Sequence, residues 1–149
     1  MRWKSRIPEN KKISEPVIAL DIVPSVLSVA GLAAPENLDG RDLFPLIDGK
    51  STTPLHEALF WRTMEGTRKA VRKGKWKWVV PNPDKESELF DLEADISESK
   101  NIAADHPEVM AEMQRAYDAW ERKNDPIRHE NPGQFRRYMR PQSAWHRTE

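Results

Sequence analysis

From Asp21 to Ala30 apolar residues occupy most of a helical wheel: Ile22, Val23, Val26, Leu27, Val29 and Ala30. Pro24 falls in the first turn, where its missing N–H costs little, and Asp21 ahead of it is read as an N-cap whose carboxylate accepts from a free backbone N–H. Asp42-Leu43-Phe44-Pro45 repeats this design and predicts a second, short helix closing at Gly49, while Gly31 suits the C′ position of the first. The first helix is apolar over too broad a face for one-sided exposure. After Pro54 the period drops to two, and residues 57–63, 69–72, 75–80 and 88–92 read as strands with turns at Gly66 and Lys73-Gly74. In the third strand Trp76, Trp78 and Val80 share one face, and Lys75, Lys77 and Val79 the other. Pro81 and Pro83 end its pairing. Asp105 with Glu108 predicts a capping-box start for a last helix. In it Val109, Met110, Met113, Ala116, Tyr117 and Trp120 recur at helical spacing, and Asn124-Asp125-Pro126 is the stop. Residues 127–149 mix arginines with Phe135, Tyr138 and Trp145 without a period and read as an extended tail.

The order of elements is that of an α+β chain, with a boundary at residues 50–54 where helices give way to strands. A chain of 149 residues can bury roughly 68–70% of its unfolded surface, so a folded unit of this size is reasonable. Its 24 basic and 24 acidic side chains cancel, which removes the case for a global nucleic-acid or acidic-substrate field. Cysteine is absent, and with it disulfides, thiolate metal sites and cysteine nucleophiles. The start, MRWKSRIPENKK, is basic but leads into Lys11 and Lys12 rather than an apolar run, so no signal peptide is read there. The most apolar window, residues 16–34, is broken by Asp21, Pro24 and two serines and is too polar to span a bilayer.

Several clusters invite chemistry. Asp91, Glu93 and Asp95 alternate as calcium ligands do, but the EF-hand count from Asp91 places Ile96 where glycine is needed and Ile102 where a bidentate glutamate is needed. The stretch is therefore read as a solvated turn, with Asp91 and Asp95 accepting from local amides. His56, His106, His129 and His146 have no spacing that aims two imidazoles at one ion, and His106 belongs to a helix start. Arg68, Lys69, Arg72, Lys73, Lys75 and Lys77 with Trp76 and Trp78 suggest a stacking surface for single-stranded nucleic acid. The alternation sends the tryptophans away from most of the cations, so an ordinary half-buried strand is favoured. Arg72 is expected to pair with Glu88 or Asp91 across the sheet.

The ordered set Ala70-Val71-Arg72, Gly74, Trp76-Lys77, then Glu88-Leu89-Phe90-Asp91-Leu92, then Asp95, Glu98, Asn101-Ile102-Ala103 resembles the carboxy-terminal signature of the sulfatase family. EPVIALDIVPSVLSVAGL and LDGRDLFPLIDG resemble its Asp-x-x-Pro-Thr helix and Asp-Gly-x-Ser-Leu-x-Pro-Leu segment, with Ser25 for threonine and Asp42 for serine. MRWKSRIP resembles the segment after the family's Gly-Gly-x-Arg-Val-Pro run. The resemblance covers residues 1 to about 123. It implies an alkaline-phosphatase-like parent in which residues 1–52 are the last piece of the large α/β domain. Residues 53–124 would be a small four-stranded antiparallel sheet packed by one helix, and 125–149 an Arg/aromatic tail.

The resemblance further implies that the parent hydrolyses sulfate esters with a formylglycine made from Cys or Ser in Cys/Ser-x-Pro-x-Arg and a calcium ion held by Asp and Asn. All of these lie upstream in the family. Ser14-Glu15-Pro16 is followed by Val17-Ile18, so it fails as a nucleophile motif. No catalytic or metal residue is thus assigned, and neither cofactor is expected in this chain. The implied partners are an amino-terminal sulfatase domain and, for the parent, a sulfate-ester substrate; membrane and nucleic acid are set aside. Compartment is left open, since parents of this kind are often exported. Met1 is expected to be an internal methionine of a longer reading frame or of a decayed gene. His56, Trp61 and Arg62 are candidates for lining the parent's pocket, Trp61-Arg62 resembling the family's Leu-Phe/Tyr-Trp-Arg strand; packing plus an ion pair is the plainer role. Arg72, Gly74, Trp76, Lys77, Glu88, Asp91, Asp95 and Asn101 are motif residues expected to be structural. A different reading is a stand-alone module that binds a polyanion, a sulfated glycan or nucleic acid, through the basic hairpin and tail.

Overall fold

The computed structural model describes residues 3–63 and 66–126, so the expected tail at 127–149 lies outside the described residues. The chain divides into two compact units, Met1–Leu59 and Phe60–Glu149. Residues 53–59 go with the first because Leu55 N–H donates to Glu15 Oε1 (3.3 Å) and His56 bonds to Asp21.

In the first unit a 3₁₀ turn, Ala19–Asp21, runs into α1 (Ile22–Val29), and α2 (Phe44–Ile47) follows a long loop. Gly31 and Gly49 close the two helices at φ +71° and +73°, as their positions after each helix predict. Asp42 Oδ1 accepts the Phe44 N–H at 2.9 Å, so the second helix start has a carboxylate on a free amide, although the N-cap position is Leu43 and not Asp42. The first does not. Asp21 makes no bond to the N–H groups at the start of α1; its carboxylate turns the other way, to Ile18 N–H (2.9 Å) and Arg41 N–H (2.8 Å). A buried Ser25 then joins the helix to the loop, donating from Oγ to Asp21 O (2.6 Å) and accepting from Leu43 N–H (2.9 Å). Gly40 is required at the loop's closest approach, since a Cβ there would stand 2.1 Å from Leu20 O. Phe44 and Ile47 are buried, with Trp3 edge-on to Phe44 at 6.0 Å and the Arg6 guanidinium 4.1 Å over the same ring.

The second unit is an antiparallel sheet of four strands in sequence order, β1 (Leu59–Arg62), β2 (Lys69–Lys73), β3 (Trp76–Val80) and β4 (Glu88–Asp91), with α3 (Pro107–Glu121) after it. Gly74 opens the two-residue loop of the β2–β3 hairpin at φ +55°, the region that glycine enters without strain. The register aligns Val71, Trp78 and Leu89, all buried, and Trp78 packs against Tyr117 of α3 at 5.7 Å. Met113 and Tyr117, four apart on α3, are both buried in this layer. Phe60 stacks on Trp120 at 5.3 Å and 8°. Within β3 only Trp78 is buried, its four neighbours being half-buried, and Trp76 lies 5.1 Å from the His106 ring.

Two expectations are corrected. Asp105 belongs to a 3₁₀ turn, Ala103–Asp105, and the N-cap of α3 is His106, without a side-chain cap. Pro107 at the first helical position removes one amide that such a cap would serve. Arg72 pairs with neither Glu88 nor Asp91: the register sets it opposite Lys77, and Asp91 binds Lys75 instead.

Leu89→Ala leaves a cavity between sheet and helix and should lower the unfolding free energy by about 2–5 kcal/mol in urea titrations followed by circular dichroism. Gly40→Ala forces the loop off Leu20 and should cost the first unit about 1–3 kcal/mol or more, read as faster amide exchange in α1 and α2. Unchanged exchange there would refute the close approach.

Candidate functional site

The chemistry-bearing side chains of the first unit converge on Asp21. It is fully buried, and besides its two backbone donors it meets His56 Nε2 at 2.8 Å. The imidazole is itself only 10% exposed. Removing a carboxylate from water costs several kcal/mol, which only complete partnering offsets, and three donors from residues 18, 41 and 56 provide it. Among the described residues no side chain other than Asp21 is bonded to the His56 ring. Ser25 Oγ spends its proton on Asp21 O, so no nucleophile is held ready beside the imidazole.

In the second unit Arg62 Nη1 meets Glu121 Oε1 at 2.6 Å and Nη2 donates to Asp125 O at 2.9 Å. This fork fastens β1 to the end of α3. Glu121 also accepts from Tyr117 Oη at 3.2 Å. Burial, reinforced by the Glu121 charge and that bond, pushes the Tyr117 phenol up to about 12. Of the three pocket candidates, His56 and Arg62 are each occupied within their own unit, and Trp61 is the exposed one at 41%.

The motif residues after β4 are stitches of one turn. Asp91 Oδ1 accepts from Glu93 and Ala94 N–H while Oδ2 meets Lys75 Nζ at 2.6 Å; the lysine bond foremost holds this carboxyl below its ordinary range. Asp95 accepts from the Ser97 and Ser99 hydroxyls and from Ser99 and Lys100 N–H, which lowers it to about 2, Ser97 contributing most. Glu98 grips Lys77 through both oxygens at 2.6 and 2.7 Å. Asn101 Oδ1 accepts from Leu89 and Ala103 N–H, and Ile102 N–H donates to Leu89 O, so the turn is sewn to β4. The sequence reading of Asp91 and Asp95 as acceptors of local amides holds. Glu88 lies opposite Val79, and Gly74 and Trp76 serve the hairpin as described. Lys73 pairs with Glu112 of α3 at 2.8 Å, which lowers that glutamate.

Sequence reasoning missed Asp21 as a hub, because its partners stand 20 and 35 residues away. Among the described residues no three His, Asp or Glu side chains gather as metal ligands would, and no helix is long and apolar enough to cross a membrane.

A family model described as "N-sulphoglucosamine sulphohydrolase, C-terminal" matches residues 1–126. Arylsulfatase K of Mus musculus is 30% identical over 118 residues, covering 69% of this chain and 21% of that protein. The N-acetylgalactosamine-6-O-sulfatase of Bacteroides thetaiotaomicron is 28% identical over 129 residues, covering 76% of this chain and 25% of that one. The crystal structure of Ps i-CgsB superimposes with a TM-score of 0.73 at 24% identity, covering 91% of this chain and 31% of that one, a likeness of fold. The chain thus spans about a fifth to a third of the length of these proteins.

Asp21→Ala should destabilise the first unit by about 3–5 kcal/mol, as expected when a buried pair loses one partner, with α1 losing amide-exchange protection while β2–β4 keep theirs. For Asp95 the folded pKa lies below the unfolded one, so its stabilisation is present above about pH 4 and is lost as pH falls towards 2. A carboxyl titration by NMR should show a midpoint near 2 that Ser97→Ala moves up towards 3.8. A midpoint near 4 in the folded chain would count against the bonded turn.

Proposed function

The chain belongs to the N-sulphoglucosamine sulphohydrolase C-terminal family of sulfatases, and from that membership we propose that it is the non-catalytic carboxy-terminal portion of a sulfuric ester hydrolase. What supports this reading is the content of the chain itself. It has no cysteine, and no Ser-x-Pro-x-Arg, so it cannot supply a formylglycine. Nucleophile and metal would come from an amino-terminal sulfatase domain, the natural partner of this chain. Motif residues then act as architecture, Lys77 in an ion pair and Asp95 and Asn101 in a turn. Trp61, with its ring half in solvent, is the pocket-lining contribution this reading retains.

The surface of the first unit supports the same partner. Leu20, Ile22, Val23, Val26 and Leu32 are each more than half exposed. So much adjoining apolar surface is uncommon on a monomer and marks a face that another body covers. A large sulfatase domain of the kind the relatives possess is the occupant proposed here.

The isolated 149-residue chain should release no phenol from an aryl sulfate above a buffer blank, with calcium and a formylglycine-generating enzyme present. Turnover proportional to protein would refute a non-catalytic role. By light scattering the same chain should associate through α1, and Val23→Lys with Val26→Lys should restore a monomer. A monomeric wild-type chain with a sharp cooperative melt would argue against the missing partner.

A further inference from the structure

α3 packs on the face of the sheet that carries Val71, Trp78 and Leu89. The register sends Ala70, Arg72, Lys77, Val79, Glu88 and Phe90 to the opposite face, where Phe90 is buried and the other five are half-buried. The charged members of that face differ. Lys77 is held by Glu98 at 2.6 Å. Arg72, directly across the hairpin from Lys77, has no hydrogen bond or ion pair among the described residues. The face's own carboxylate, Glu88, lies two strands away and one row off, opposite Val79, and does not bond to it.

Of the three guanidinium nitrogens of Arg72 only Nε is sealed from water, so the stem is enclosed while Nη1 and Nη2 remain open. Arginine, unlike lysine or histidine, cannot shed its charge to escape such a place, and a sealed donor without an acceptor is unfavourable. An enclosed stem also fixes the head group before anything binds, which removes much of the ordering cost that a long side chain adds to association. Two parallel N–H donors directed outward match the two oxygens of a carboxylate. The apolar neighbours Ala70, Val79 and Phe90 suit a protein surface, since arginine among apolar side chains is the composition found at the centre of protein interfaces.

We propose that Arg72 is a docking anchor for the amino-terminal sulfatase domain, donating end-on through Nη1 and Nη2 to an Asp or Glu carboxylate of that domain. The inference rests on the partner reading given above and deepens it: the first unit offers that partner an apolar face, and the second offers a preformed cation. The chain spans only about a fifth to a third of the length of such proteins, so most of a relative's residues lie outside it and are available to supply the carboxylate.

The test is surface plasmon resonance on the full chain, immobilised at low density so that self-association does not compete, with the domain encoded upstream of Met1 in the same frame supplied as a separate polypeptide. Arg72→Met should weaken binding about tenfold or more, as when a charge-assisted pair loses one member. In the chain alone the same variant should leave the urea midpoint unchanged or raised, because no bond is broken and an unanswered donor is removed. Arg72→Lys, a point charge without the fork, should recover only part of the loss. Lys77→Met, on the same face but already held by Glu98, should change binding less than about threefold. Arg72→Glu should bind more weakly still and be restored by a lysine at one acidic position of the partner. Equal effects of Arg72→Met and Lys77→Met, or a lowered urea midpoint in Arg72→Met, would overturn the anchor; the partner reading would survive if Val23→Lys with Val26→Lys still abolished binding. Absence of a sulfatase domain upstream, or no binding by the wild-type chain, would overturn both.

Discussion

A carboxylate can be sealed from water only where its lone pairs are met, and Asp21 shows what this demands of a chain. Its donors come from the residue three before it, from the loop after Gly40 and from His56. Each is fixed only if its own segment is in place, so one buried charge sets the path of the first unit from Ile18 to His56. Gly40 and Ser25 serve the same junction, the glycine by letting the loop approach Leu20 and the serine by carrying a bond from α1 to Leu43. The second unit applies the rule at lower cost. Its ion pairs are partly exposed, where solvent screens their attraction, and its stability rests on the layer of Val71, Trp78, Leu89, Met113 and Tyr117.

The parts of the structure that could be read from the sequence are those governed by neighbours. Period two located all four strands, and the Asp95 turn was legible because its bonds span two to five residues. Gly31, Gly49 and Gly74 announced their backbone sign because few other residues accept it. Where the reading failed, the deciding partner was distant. Asp21 looks like an N-cap over any four-residue window, and nothing local says that His56 claims it. Arg72 lost its expected partner to register: a hairpin with a two-residue loop sets Lys77 opposite it and leaves Asp91 to Lys75.

The motif that carries family membership is therefore a folding signature. Asn101 holds Leu89 of β4, Glu98 holds Lys77, and Gly74 turns the hairpin that presents Lys77. These bonds build the sheet whatever reaction the rest of a molecule performs, so they mark a fold without identifying a substrate. Function must then be argued from surfaces.

Two kinds of surface face water on this chain, and water treats them differently. The apolar face of α1 gains free energy from any cover that removes it from solvent, by about 25 cal/mol per Å². The paired lysines of the second unit gain nothing comparable, because Lys73, Lys75 and Lys77 hold their carboxylates while partly in water and would have to give up that water to be covered. The face of α1 is therefore the kind of surface that assembly would bury, and the paired lysines are the kind that stays solvated.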